Sequence, residues 1–324
     1  MNLFTNTNYN FIRWRWHALA FSALIVVLGL VQVVRQGMPL GIDFSGGTIV
    51  VLKFEQPTNE QAVRDALETI PGEKVVQQYG AADANEVLVR LPQTTQGEQG
   101  TSLEQGARQV IDAVRAGQLG EFEVISTEIV GPVIGKDLQR KGVYATLASI
   151  LGIAAYIAFR FRPSFAIGAI AATLHDVVVT IAFLTVFGYE LSLNIVAAIL
   201  TITGYSVNDT IVIFDRVREN ARTMRGAPLD QQVNTAVNQT LSRTIITAGT
   251  TFLSVLALFL FGGEVLEGFA FTMLVGIVSG TYSTVFIASS LAIALSKNVT
   301  AAAPPPPPAR ERGDRPRRRE RRNV

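Results

Sequence analysis

Six stretches of this chain are long and apolar enough to cross a bilayer, and nothing else in the sequence restricts the fold as much. A spanning helix needs about 20 mostly apolar residues. The stretches are Ala18–Val34, Gly142–Phe159, Phe165–Phe187, Leu191–Phe214, Thr244–Phe261 and Gly268–Leu295. Composition agrees: 48% of the 324 residues are hydrophobic and only 17% are charged, too apolar for an ordinary soluble enzyme. Arg13, Arg15 and His17 precede the first apolar run, and no small-residue cleavage site follows at signal-peptide length, so that run reads as an uncleaved helix.

Basic residues set the direction of the spans, because cytoplasmic loops are enriched in Lys and Arg. Arg13 and Arg15, then Arg160 and Arg162, then Arg216, Arg218, Arg222 and Arg225, and finally Lys297 with an arginine-rich tail all fall on one side of a six-span chain. The opposite short loops carry Glu190, Glu264 and Glu267. Both termini are therefore expected in the cytoplasm. Residues 1–17 and 296–324 form the ends, 215–243 an inner loop with an amphipathic helix, and 35–141 an extracytoplasmic domain.

That outer segment is acidic, with 15 Asp and Glu against 7 Lys and Arg between Gln36 and Asp137. Strand-like and helix-like patterns alternate along it: TIVVLKF, an amphipathic run Asn59–Ile70, KVVQQY, EVLVRL, a second amphipathic run Leu103–Val114, and FEVISTEIV. This order, βαββαβ, is that of a ferredoxin-like module. Thr94–Ser102 reads as a connector. The expected fold is thus an α-helical polytopic membrane protein with six transmembrane helices and a small α+β, ferredoxin-like extracytoplasmic domain. The run AAAPPPPPARERGDRPRRRERRNV is expected to be a disordered tail serving solubility and orientation, or contact with anionic lipid or RNA.

Charge inside a span costs roughly 2.5 to 3.5 kcal/mol at a helix centre, so each instance asks for a function. Asp209 lies six residues before Asp215, about 9 Å inside the inner edge of the fourth span. Arg243 opens the fifth span from the same side, at a comparable depth. Such a pair can neutralise itself when the carboxylate is ionised and separate when it is protonated; the alternative is a static ion pair that fixes helix register. Asn208 adjoins Asp209, and Thr247 lies one turn beyond Arg243, placed to hold water on a proton path. His175 and Asp176 stand near the middle of the third span and point about 100° apart, so one suits a relay and the other a structural partner. Around them run small and polar residues, among them Ser206, Ser279 and Ser283, which permit close helix packing.

No soluble-enzyme constellation competes: there is no phosphate loop, nucleophile elbow or paired-histidine helix motif. With no cysteine and only His17 and His175, neither a disulfide nor a metal cage is expected, and no cofactor is called for. GIDFSGGT, with Gly46 and Gly47, is expected to form a turn at the junction of membrane and outer domain.

Five motifs together, GIDFSGGT, VGPVIGKDL, LHDVVVT, GYSVNDTIVIFDRVREN and LSRTIIT, closely resemble the SecD/SecF family of the bacterial preprotein translocase, and within it the smaller of two paired subunits. The resemblance runs from about Tyr9 to Lys297 and implies half of a transporter of the resistance-nodulation-division superfamily. It implies a SecD partner, the SecYEG channel, YajC and the membrane insertase as neighbours, unfolded preproteins as substrate, lipid contact, no specific nucleic acid, and residence in the bacterial inner membrane. It further implies that the proton gradient assists export and that Asp209 and Arg243, with Thr247 nearby, match the family's proton pathway. A lipid or small-molecule exporter of the same superfamily, which would carry two large outer domains and twelve spans, and a scaffold subunit without its own proton pathway are the alternatives.

Overall fold

A computed structural model describes residues 7–71, 74–80, 84–92 and 103–301. The connector Thr94–Ser102 and most of the Pro/Arg tail lie outside the described residues. Helix α1 (Arg15–Gln36) follows a single 3-10 turn, Ile12–Trp14. A four-residue helix α2 (Ile42–Ser45) then leads into β1 (Gly47–Phe54), α3 (Glu60–Ala66), β2 (Val75–Tyr79), β3 (Glu86–Pro92), α4 (Leu103–Ala116) and β4 (Phe122–Val130). Helices α5 (Pro132–Arg160), α6 (Pro163–Val186), α7 (Leu193–Thr223), α8 (Leu229–Phe261) and α9 (Glu264–Ser283) follow, and a π turn, Thr284–Ala288, joins α9 to α10 (Ser289–Ala301).

Among the described residues, six helical segments are long and apolar enough to span a membrane, as the sequence led us to expect. In hydrocarbon every backbone donor and acceptor must be satisfied within the segment, which a helix achieves and an isolated strand does not. The apolar stretches of α5, α7 and α8 are parts of longer helices. α7 has 31 residues and α8 has 33, about 47 to 50 Å each, well beyond the roughly 30 Å hydrocarbon layer. The segment 215–243 is thus mostly the polar ends of α7 and α8 around a short turn at 224–228. Helix α5 likewise starts ten residues before its apolar stretch, at Pro132, whose lost N–H costs nothing at a first helical position.

Burial separates centre from periphery. Half of the spanning windows of α6 and α7 and 61% of that of α9–α10 are buried, against 11% for α1, 6% for α5 and 17% for α8. The central helices pack closely because small residues line their crossings. A Cβ added at Gly168 of α6 would meet the carbonyl oxygen of Ala288 at 2.6 Å, and one at Gly276 of α9 would meet Ile202 of α7 at 2.3 Å.

The domain between α1 and α5 is built on an antiparallel sheet in the order β2-β3-β1-β4, the ferredoxin-like arrangement expected from βαββαβ. Alternation along β1 sends Val50, Leu52 and Phe54 toward α3 and α4, where Val63, Leu67, Val110 and Val114 complete a buried core with Val87 and Val89. Between Val51 and Leu52 the register with β4 shifts by one residue, a bulge. GIDFSGGT is more than a turn: it comprises α2 and the start of β1. Gly46 has φ +75°, and a Cβ there would press on the Pro132 backbone at 3.1 Å, so only glycine lets β1 leave the membrane edge against the start of α5.

Candidate functional site

Two carboxylates lie inside the bundle, and their surroundings differ. Asp176 of α6 is 1% exposed. Its Oδ2 accepts from Ser206 Oγ of α7 (2.6 Å) and Ser283 Oγ of α9 (2.7 Å), and its Oδ1 accepts from Ser279 Oγ of α9 (2.7 Å). Nδ1 of His175 lies 3.1 Å from Oδ1, and Nε2 of the same ring contacts the hydroxyl of Ser22 on α1. Ser206, Ser279 and Ser283 are themselves buried, so the hydroxyls have no water to turn to and the carboxylate is their acceptor. The centre joins α1, α6, α7 and α9 through side chains alone. Both members of the adjacent pair take part: Asp176 points inward to α7 and α9, while His175 bridges to α1.

Asp209 sits on α7, almost one turn beyond Ser206, and is 4% exposed. Among the described residues no hydrogen bond or ion pair reaches its carboxylate. Arg243 of α8 acts on it electrostatically without ion-pair contact, and its own side chain is exposed. Asn208 is also exposed, and Thr247, partly buried, donates to the carbonyl of Arg243 (2.9 Å). These residues belong to a larger pattern. Thr201, Gly204 and Asn208 follow one face of α7; Arg243, Thr247, Thr250 and Ser254 follow one face of α8. Apart from Thr247 all are exposed, and Thr201, Thr250 and Ser254 donate back to carbonyls of their own helices. Bending hydroxyls inward in this way satisfies their donors but leaves a polar stripe on the outside of an otherwise apolar bundle.

A third cluster ties the α+β domain to the bundle. Arg90 of β3 pairs with Glu190 in the loop between α6 and α7 and donates to the Leu40 carbonyl (2.8 Å). The backbones of Gly41 and Leu191 and of Leu191 and Pro39 are hydrogen-bonded at 2.8 Å, a short parallel bridge. Asp43 of α2 accepts from the Leu193 amide (2.9 Å), the first residue of α7. Tyr189 donates to Glu267 of α9 (2.5 Å). Burial, the hydrogen bond and the Glu267 charge all push the Tyr189 hydroxyl above its ordinary value near 10, so it stays a donor at every physiological pH. Because the folded value is raised, this contact is fully present below pH 10 and weakens only as pH climbs past the unfolded value. Tyr189→Phe is accordingly expected to cost about 1 to 2 kcal/mol from pH 6 to 9, and a flat loss across that window in thermal unfolding checks it.

Comparison with known proteins identifies this arrangement. The family model "Protein export membrane protein SecD/SecF, C-terminal" matches residues 109–298, more than half of the chain, and the "SecD/SecF GG Motif" model matches 33–58. The chain belongs to the SecD/SecF family. Protein translocase subunit SecF of Rhodothermus marinus is 41% identical over 310 residues, covering 93% of this chain and 97% of that protein. The crystal structure of SecDF, a translocon-associated membrane protein from Thermus thermophilus, superposes with TM-score 0.79 at 37% identity over 90% of this chain. A second solved structure, SecDF in a super-membrane-facing form, gives 0.69 at the same identity over 92%. This chain spans only 39% and 40% of those two longer chains.

As a SecD/SecF-family chain, the protein is a multi-pass membrane subunit of the protein-export machinery. Its GG motif is the Gly46–Gly47 exit described above. The six residues singled out in the sequence fall into two groups: Asp209, Arg243, Asn208 and Thr247 near the outward-facing stripe, and Asp176 and His175 in the closed centre. Sequence reasoning missed Ser22, Arg90 and Tyr189. Arg90 did leave a signal, a lone cation at an even step from Leu88 in EVLVRL, on the sheet face away from the helices.

Proposed function

We propose that this chain pairs with a SecD partner in the bacterial inner membrane and lets the proton gradient assist protein export, with Asp209 as the proton-binding group. One observation carries the reading: a buried carboxylate with no hydrogen-bonded partner among the described residues lies beside an outward-facing polar stripe that contains Arg243. In hydrocarbon such a stripe calls for a protein neighbour, since each lipid-exposed polar group is costly. The SecD half covers it, completing the surroundings of Asp209 and Arg243 between two bundles. Proton binding to Asp209 cancels its attraction to Arg243; proton loss restores it. The helices on either side of the stripe then have two positions, with Thr247 and Asn208 holding water between them. Asp176 and His175 form the fixed centre about which α7 and α9 stay joined.

Basic segments at one end of the bundle support a topology with both termini in the cytoplasm and residues 35–141 outside. The acidic outer domain is then positioned to move against chains leaving SecYEG, with YajC and the membrane insertase as further neighbours. The test uses sealed vesicles that carry the channel, its ATPase motor and a SecD partner, with or without this chain. Export is expected to slow on addition of an uncoupler only where this chain is present. An equal response to the uncoupler in both preparations refutes the reading.

A further inference from the structure

At the end of the bundle remote from the outer domain, the segment before α1 folds back onto α8 and encloses a cleft. Asn234 and Asn238 of α8 donate to the Tyr9 carbonyl (3.0 and 2.8 Å), and Asn238 Oδ1 accepts from the Tyr9 amide (2.9 Å). Asn10 accepts from the Arg13 amide (3.0 Å), which fixes the turn into α1. The cleft so formed measures about 430 Å³ and is lined by Asn10, Arg13, Arg15, Trp16, Asp230 and Asn234. This volume lies within the roughly 300 to 1,000 Å³ range of small-ligand sites.

Its charge is unbalanced. Among the described residues Arg13 and Arg15 make no ion pair, and one terminal nitrogen of Arg15 is buried with no hydrogen-bond partner there. Among the described lining residues the only acid is Asp230, whose Oδ1 accepts from the Gln231 amide (3.1 Å) in the first turn of α8, so two guanidinium groups face a single carboxylate and one positive charge is left over. A buried guanidinium nitrogen without an acceptor is expensive, and planar guanidinium forks match the oxygens of a phosphate. The surroundings select where that phosphate comes from. Trp14 and Trp16, 62% and 66% exposed, and Tyr9 at 58% form an aromatic collar at this level, as side chains do at a head-group layer. Beyond them the outer face of α1 is apolar, with Phe21, Leu24 and Leu28 exposed.

We propose that this cleft binds the phosphate of an anionic phospholipid, held by Arg13 and Arg15 with its acyl chains lying along α1. The test is native mass spectrometry of the full-length chain in detergent micelles, titrated with dioleoylphosphatidylglycerol, dioleoylphosphatidylcholine or inorganic phosphate. The parent chain is expected to retain the glycerol lipid about tenfold more tightly than the choline lipid, and Arg15→Gln to remove most of that preference. Arg13→Gln, an exposed position that cannot disturb folding through lost packing, is expected to weaken it as well. Arg35→Gln, at the opposite end of the same helix, is expected to leave it unchanged. Equal retention of the two lipids, an equal loss in Arg35→Gln, or saturation by inorganic phosphate without lipid preference would each overturn the assignment.

Discussion

Asp209→Asn is expected to yield a chain that assembles and melts like the parent yet gives no gradient-stimulated export. The swap is nearly isosteric, and among the described residues none donates a hydrogen bond to this buried carboxylate that the swap would remove. What disappears is the ability to alternate between charged and neutral beside Arg243. The available work is large on this scale: about 2.3 kcal/mol per charge per 100 mV of potential and about 1.36 kcal/mol per pH unit. Export in vesicles should therefore fall to the rate measured with uncoupler and respond no further to it. Retained gradient stimulation in a well-folded Asp209→Asn chain would remove Asp209 from the proton path.

Asp176→Ala is expected to behave in the opposite way, damaging the fold before the function. Three buried serine hydroxyls and one imidazole direct their polar atoms at this carboxylate. Its removal leaves them without an acceptor in a region that water does not reach, for which a loss of about 3 to 5 kcal/mol is the usual scale. Thermal unfolding in detergent should shift down by about 6 °C or more. Asp176→Asn should fall between, since hydroxyls can rotate to accept from an amide. If Asp176→Ala melts with the parent, the four contacts do not hold the bundle together. Measured side by side, the two variants separate a group that switches from a group that fastens.

The difference between these carboxylates was only partly legible in the sequence. Both stood out as charge within apolar runs, and the βαββαβ order and six spans followed from periodicity and length. Which way Asp176 points was hidden, because α6 does not gather its polar residues on one face and so carries little amphipathic phase to orient it. The π turn at Thr284–Ala288 left no compositional mark, yet it shapes the stretch just beyond Ser283. Arg90 and Glu190 lie 100 positions apart, and only the folded chain makes them neighbours. The ends of α7 and α8 were obscured for another reason: the helices continue past the bilayer in polar residues, where hydropathy no longer reports on helix.

The α+β domain is joined to the bundle at one end of its sheet. β1 enters it at Gly47 and β4 leaves it at Val130, and these two residues are paired with each other beside α5. Both chain connections therefore pass through one point, and with the Arg90–Glu190 pair and the Leu193–Asp43 hydrogen bond at the same end, that point is where any rocking of the domain would be hinged. From that point β1 extends eight residues, about 26 Å. Turning α5 by about 10° would swing the far end of the strand by about 4.5 Å, so a lever of this length converts a helix tilt of side-chain scale into a stroke longer than one residue of an extended polypeptide.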